Sequence, residues 1–232
     1  MENITDKNEV IMSFVNLVIT DSFISVISDG QVTKNNEITA SHFKKFETSQ
    51  NGYVIASTGY EKITNDIRKK FYYQPHLTFD DAQMLLLESI KKYQNKSVHF
   101  SKKVSYNAII AGFVSTDNSQ IAPFSTAVST DNTTKNTSTP SHPSKKRPVA
   151  YCYHVADGKI TRTFYDHALC LSLIPDDIDF NPNLLLSTAL KKLSHHNALL
   201  SIQALQRSIL YQVAQKSNTV NTVIFQALIK KD

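Results

Sequence analysis

Between residues 13 and 28 the chain is apolar and rich in Val, Ile and Phe, with a polar break at Thr20-Asp21-Ser22. Such a run, split by a short polar trio, predicts two strands joined by a tight turn. Residues 29–41 are polar and read as a connecting stretch. Apolar positions return over 46–57 around Asn51-Gly52, a pair favoured where both turn residues need positive φ, so a second hairpin is expected. The period then changes. Residues 60–72 read as a helix that stops before Pro75. Phe79, Ala82, Leu85, Leu86, Ser89, Ile90 and Tyr93 then fall on one face at helical spacing. Thr78 and Asp81 form a capping box in front of that second helix. A strand follows over 106–114.

Residues 115–148 carry almost no apolar periodicity. Ser and Thr fill fourteen of these thirty-four positions, joined by Asn and four prolines. That composition cannot bury enough surface to offset chain entropy, and the segment reads as a disordered or mobile insertion. Pattern resumes as a hairpin, 149–156 and 159–165, around Asp157-Gly158. A short apolar segment spans 168–174. Asn181 caps and Pro182 opens a third helix that runs to Leu193. A fourth helix over 198–215 places Leu199, Ile202, Leu205, Ile209 and Val213 on one face, and a strand over 220–229 closes the series.

The expected order is four strands, two helices, three strands, two helices and one strand. Helices on both outer sides of two stacked antiparallel sheets would bury every amphipathic face. The expected fold class is therefore α+β, a four-layer α/β/β/α sandwich. It forms one domain over 13–232, with residues 1–12 as an N-terminal extension or propeptide.

Composition narrows the function. The chain has 232 residues, 41% of them hydrophobic and 19% charged, as in soluble globular proteins. Twenty-five basic against twenty acidic residues leave +5, an excess too small to propose nucleic acid as a partner. No stretch approaches the roughly eighteen apolar residues of a membrane span, so no membrane partner is expected. No secretory signal is visible, and Cys152 and Cys170 are too few for a disulfide framework. The expectation is a cytoplasmic protein, or a nuclear one in a eukaryote, with reduced thiols.

Neither a cofactor nor a metal is expected. Cys152 and Cys170 form no Cys-x-x-Cys pair for zinc, and no activating base for either thiol can be argued. Asp176-Asp177-x-Asp179 lacks the glycine and spacing of a calcium loop. His195 and His196 are adjacent and diverge around a helix end. Lys145-Lys146-Arg147 reads as a solvated linker end, and no glycine loop could cradle a phosphate. The chain has only five glycines, few enough that each is expected where backbone geometry demands it.

Candidate chemistry lies in four spaced residues. Asp29 lies sixteen positions after Ser13, Lys45 sixteen more, and Gly59 fourteen more. Their segments are Ile27-Ser28-Asp29-Gly30-Gln31-Val32-Thr33, Lys44-Lys45-Phe46 and Ala56-Ser57-Thr58-Gly59. Tyr106-Asn107-Ala108-Ile109-Ile110-Ala111-Gly112 and the hairpin Val149-Ala150-Tyr151-Cys152-Tyr153-His154-Val155-Ala156-Asp157-Gly158 follow in order. This collinear set resembles the proteasome β-type subunits and their bacterial ring-peptidase relatives, which are N-terminal-nucleophile hydrolases. The resemblance covers most of the chain outside 115–148.

It implies a proteasome-like subunit that hydrolyses peptide bonds through Ser13 after self-processing. Its partners would be self or related subunits in a ring, and its substrate a peptide or unfolded protein. Lys45 would tune the terminal amine, Asp29 would orient Lys45, and the Gly59 N–H would receive the oxyanion. The chemistry fits those residue types. A free α-amine titrates near neutrality and can take the proton from its own hydroxyl, a nearby cation lowers that amine's proton affinity, and a helix-start N–H can stabilise an acyl-transfer oxyanion.

The chain also departs from the family pattern. Twelve residues precede Ser13, so cleavage after Met12 is required, and Met12 stands where the family has Gly. Leu171-Ser172-Leu173 replaces Gly-Ser-Gly, leaving Ser172 as the match. Ala214-Gln215-Lys216-Ser217-Asn218 replaces Asp-x-x-Ser-Gly, leaving Ser217 without its Asp. Several β-type subunits of eukaryotic proteasomes are inactive, so the alternative that the resemblance implies is a non-catalytic structural subunit with an eroded site.

Overall fold

The computed structural model describes residues 13–34, 37–59, 61–97, 105–115, 146–156, 158–175, 177–192 and 198–231. Two hairpin strands, β1 (Val15–Ile19) and β2 (Phe23–Ser28), come first, as their apolar run predicts. The turn between them is closed by the Thr20 hydroxyl, which accepts from the backbone N–H groups of Ser22 and Phe23 and donates to the Phe23 carbonyl. Next come β3 (Val32–Lys34), β4 (Glu37–Ala40), β5 (Phe46–Thr48) and β6 (Tyr53–Gly59), then α1 (Glu61–Tyr72) and α2 (Phe79–Ser97). The Thr78 cap is formed: its hydroxyl accepts from the Asp81 N–H and donates to the Asp81 carboxylate. The second half runs β7 (Tyr106–Ser115), β8 (Lys146–Ala156), β9 (Lys159–Tyr165), β10 (Leu169–Leu173), α3 (Pro182–Lys192), α4 (Ala198–Lys216) and β11 (Phe225–Lys230). Asn181 caps α3 through its side-chain oxygen, which accepts from the N–H groups of Asn183 and Leu184.

The strands form a sheet ordered β10-β1-β2-β11, a sheet ordered β5-β6-β7-β8-β9, and a two-stranded ribbon, β3-β4. All ladders are antiparallel. Side-chain alternation divides the core into three apolar clusters. Val15, Leu17 and Ile19 of β1 join Val54 and Ala56 of β6 and Ile109 of β7 in a cluster shared by the two larger sheets. The opposite faces of β6, β7 and β8 pack Tyr53, Ile55, Ile110 and Tyr153 with Ile67 of α1 and Leu86 of α2. Phe14, Val18 and Ile27 pack with Leu186 of α3 and with Ile202, Ile209 and Val213 of α4.

Four expectations change. Residues 29–41 hold the ribbon β3-β4, which shows no alternation because successive residues Val32 and Thr33 of β3 are both buried while β4 is largely exposed, Ile38 by 63%. The segment over 168–174 is a true edge strand, paired with β1 from Val15↔Leu173 to Ile19↔Leu169. The last strand begins only at Phe225. The ends of the proposed insertion are strand, with Phe113 opposite Pro148 and Ser115 opposite Lys146, so Ser115 and Lys146-Arg147-Pro148 belong to the five-stranded sheet. Residues 1–12 and 116–145, His195 and His196 lie outside the described residues.

Candidate active site

β2 ends at Ser28, and the chain turns through Asp29 and Gly30. The turn is fixed by an exchange with the start of β1. The Asp29 N–H donates to the Phe14 carbonyl (3.2 Å), and the Phe14 N–H donates to Asp29 Oδ1 (2.9 Å). Asp29 Oδ2 accepts from the Gln31 N–H at 2.8 Å. This carboxylate is fully buried, at 0% exposure, and two backbone donors orient it before any cation is considered.

Lys45 precedes β5 and lies against both larger sheets. Its carbonyl accepts from the Ser57 N–H of β6 (3.1 Å), and its own N–H reaches the Ser28 hydroxyl (3.5 Å). Only 1% of Lys45 is exposed. Its ammonium donates to Asp29 Oδ1 at 2.7 Å, to the Gln31 carbonyl at 2.8 Å and to the Asp29 carbonyl at 3.2 Å. Those acceptors use all three of its N–H bonds. Burial lowers the proton affinity of Lys45 below its usual value, while the charge and hydrogen bond of Asp29 pull it back up.

Ser13 is 4% exposed, and its hydroxyl has no hydrogen-bond partner among the described residues. It lines one small pocket with Lys45, Gly59, Val32, Phe43, Thr58, Glu61 and Thr64. Gly59 ends β6 with φ of +110° just before α1 begins. A Cβ there would lie 2.6 Å from the Tyr106 Cβ and 2.7 Å from the Ser105 carbonyl. Both the backbone angle and the close approach therefore require glycine.

The structure thus brings Ser13, Lys45 and Gly59 to one pocket, with Asp29 behind Lys45. It does not bring Ser172 or Ser217 to the pocket lining. Ser172 sits opposite Asn16 in the β10–β1 ladder. Its hydroxyl accepts from Asn16 Nδ2 (2.9 Å) and donates to Asn183 Oδ1 of α3 (2.8 Å). Asn16 belongs in turn to a buried polar chain, accepting from Gln206 Nε2 of α4 (2.7 Å), whose Oε1 accepts from the Ser25 hydroxyl (2.6 Å). Ser217 follows α4, is buried, and pairs its hydroxyl with that of Thr219 at 2.7 Å. The Ser217-Asn218 turn is nevertheless tied to the site, because Gln31 Nε2 donates to the Asn218 carbonyl at 2.5 Å.

Four pocket or support residues were not singled out from the sequence. Gln31 stood inside the Asp29 segment as a bystander. Glu61 and Thr64 are three apart, on one face of α1, and helical spacing from Gly59 could have placed them. Phe43 is gripped from outside by the Arg68 guanidinium, 4.8 Å from its ring centre, a long-range contact without a local signal.

Of the remaining candidates, Lys145 and Asp176 lie outside the described residues, and two others are ion-paired. Asp179 forms an ion pair with Lys216. Arg147 pairs with Asp166 across the β8–β9 edge. Burial pushes the Cys152 thiol up to about 12 and the Cys170 thiol up to about 11, which disfavours either as a nucleophile.

No family model and no curated protein matches the chain. Among solved structures it is similar to the crystal structure of eukaryotic HslV from Trypanosoma brucei. The alignment covers 94% of this chain and 99% of that one, at 10% identity and a TM-score of 0.47. Similarity at that level decides nothing about chemistry, which rests on the geometry above.

Proposed function

We propose that the chain is a proteasome-like subunit of the N-terminal-nucleophile type. In this reading its three apolar clusters are the interfaces of an α/β/β/α sandwich, and Ser13 cleaves peptide bonds once it is the N-terminus. One observation carries the proposal: a buried Ser13 hydroxyl without a partner among the described residues shares a pocket with a carboxylate-held lysine and a positive-φ glycine.

Cleavage of the Met12–Ser13 bond would free the Ser13 amine. That amine takes the hydroxyl proton as Oγ attacks a substrate carbonyl carbon. The Lys45 charge keeps the amine in its neutral, accepting form. The Gly59 N–H receives the carbonyl oxygen as it becomes an oxyanion. The amine then returns its proton to the leaving nitrogen, the C–N bond breaks, and water hydrolyses the resulting ester. Self or related subunits would complete a ring around peptide or unfolded-protein substrates in the cytoplasm or nucleus.

A second reading, a non-catalytic subunit of such a ring, is favoured by different observations. All three N–H bonds of Lys45 are spent on Asp29 and Gln31, and the Ser172 and Ser217 hydroxyls are engaged elsewhere.

Intact mass decides between the two. Loss of residues 1–12, with peptidase activity that disappears in Ser13→Ala while that variant still folds and assembles, supports the catalytic reading. A chain that keeps residues 1–12 in the assembled complex and cleaves no peptide overturns it in favour of the second.

A further inference from the structure

A polar belt crosses the apolar layer between the four-stranded sheet and helices α3 and α4. Asn16, Ser25 and Gln206 are each 0% exposed. Gln206 Nε2 of α4 donates to Asn16 Oδ1 (2.7 Å) and to the Ser25 carbonyl (3.3 Å), while its Oε1 accepts from the Ser25 hydroxyl (2.6 Å). Asn16 Nδ2 donates to the Leu171 carbonyl (3.1 Å) and to the Ser172 hydroxyl (2.9 Å), which donates onward to Asn183 of α3 (2.8 Å). Both N–H bonds of each amide are used, and no member of the belt carries a charge.

The ladders on either side of β1 are set differently. The Thr20 turn fixes the pairing of β1 with β2. Asn16 and Leu171 are 155 positions apart, so no turn sets the pairing of β1 with the edge strand β10. Alternation does not set it either. A shift by one residue would turn the apolar faces over, but a shift by two keeps every side chain on its own face. Leu169, Leu171 and Leu173 would then change places opposite Leu17 with little loss. What changes is the surroundings of Asn16. In the observed register it faces Ser172; shifted by two it would face Cys170 or Ile174, and its buried amide would lose the hydroxyl. A buried donor without a partner is costly, so one register is preferred. A buried asparagine fixes register in coiled coils by the same means.

We infer that this belt is a register lock, in which Asn16, oriented by Gln206, selects one pairing of β10 with β1 and thereby sets which residue lies beside Ser13. Continued two places from Val15↔Leu173, the ladder brings the buried Pro175 to that position. A slip of two, about 7 Å along the strand, would bring Leu173 or Asp177 there instead. A carboxylate beside the Ser13 amine would raise its proton affinity and oppose its action as a base. Asn16 and Gln206 are positioning residues. Their bearing on catalysis rests on Ser13 being the nucleophile, whereas the register does not.

The test reads the register by cross-linking in the full chain, with Cys152→Ala and Cys170→Ala in every sample. Leu17→Cys is combined in turn with Leu169→Cys, Leu171→Cys and Leu173→Cys. A disulfide needs Cα atoms within about 7 Å, which directly opposite residues meet and diagonal ones at about 7–8 Å do not. With the native belt, oxidation should join position 17 to 171 alone. An apolar belt, Asn16→Leu with Ser25→Ala, Ser172→Ala and Gln206→Met, removes the partners together and leaves no orphan among them. It should raise the cross-link to 169 or 173 by at least about tenfold. The smaller change Asn16→Leu with Ser172→Ala leaves the Gln206–Ser25 bonds in place and should shift the cross-links in the same direction. Variants that fold and still join position 17 only to 171 overturn the inference.

Peptidase activity separates the lock from the hydrolase reading. Activity that falls in step with the slipped fraction supports both. Full kcat in a slipped chain overturns the positioning role of Asn16 and Gln206. A slip in a chain that cleaves no peptide even with its native belt supports the lock, and the hydrolase reading alone falls.

Discussion

Replacing Asp29 with Asn changes no volume, yet three donors converge on that carboxylate. Oδ1 receives the Phe14 N–H and the Lys45 ammonium, and Oδ2 receives the Gln31 N–H. An amide can keep its oxygen toward Phe14 and Lys45 only by turning its NH2 toward the Gln31 N–H. One buried donor is then unpaired, at about 1–3 kcal/mol. The lost charge leaves the buried Lys45 ammonium facing neutral oxygens, and breaking a buried pair from one side costs about 3–5 kcal/mol. The two effects overlap, so Asp29→Asn should cost about 4–6 kcal/mol, a large part of the roughly 5–15 kcal/mol that holds a domain together.

Lys45→Met leaves only acceptors without a partner. The Asp29 carboxylate retains two amide donors, so the cost should be about 2–3 kcal/mol. The double variant should fall well short of the sum, because Met no longer needs a counter-charge. Urea denaturation of the wild type, both single variants and the double variant measures this directly. Equal cost for the two single changes, or additivity within about 0.5 kcal/mol, would refute the reasoning. The pH dependence supplies a sign. Burial lowers the folded-state proton affinity of Lys45, so below 10.5 the unfolded chain binds more protons, and stability rises with pH towards 10.5. Without the opposing pull of Asp29 that rise should be steeper in Asp29→Asn.

Ser13→Ala deletes a buried hydroxyl that has no partner among the described residues, so thermal and urea unfolding should show it as stable as the wild type or up to about 1 kcal/mol more stable. Gly59→Ala forces a β-carbon within 2.6 Å of Tyr106 at φ of +110° and should lower stability by about 1–3 kcal/mol, read as a drop in Tm. The thiols of Cys152 and Cys170, pushed up from 9.0 to about 12 and about 11, stay protonated in the folded chain where the unfolded chain ionises. Their contribution is present in full below pH 9 and fades as pH rises through 11 and 12; melts from pH 8 to 11 should show a shallower alkaline decline in Cys152→Ala. Gln206→Ala opens the buried chain between Ser25 and Asn16 and should cost about 2–4 kcal/mol by urea denaturation.

The elements that periodicity exposes are those with one buried face. The capped α2 and the Asn181-capped α3 meet that condition, whereas β1, β2 and β6 are buried on both faces and show as short apolar runs bounded by turn residues. The ribbon β3-β4 escaped because neither the charge of Glu37 nor the exposure of Ile38 follows a buried stripe. β10 reads in sequence as an apolar segment without a strand's mark, since its pairing with β1 spans more than 150 residues. The front of the site was legible for a related reason. Asp29, Lys45 and Gly59 each terminate or begin a strand, and such positions show in sequence as breaks in pattern. Glu61 and Thr64 lie inside a helix whose pattern reports only its core face, so their convergence on Ser13 appears only once β6 and α1 are placed.

Ser172 and Ser217 show the limit of matching a residue type without its neighbours. Ser172 occupies β10, but its hydroxyl completes the Asn16–Asn183 link toward α3. Glycines on both sides of such a serine would leave the backbone free to move it toward β1; Leu171 and Leu173 instead pack into the cluster shared by the two sheets and fix the strand's alternation. At Ser217 the absent acid, Ala214, packs with the helix-side core and offers no acceptor. The turn after α4 is held by Gln31, whose side chain binds the Asn218 carbonyl while its own carbonyl receives Lys45. Gln31 therefore joins the two halves of the site through one residue. Any force that displaces the Asn218 turn, including a subunit docking against it, acts on a carbonyl that holds one of the three Lys45 N–H bonds.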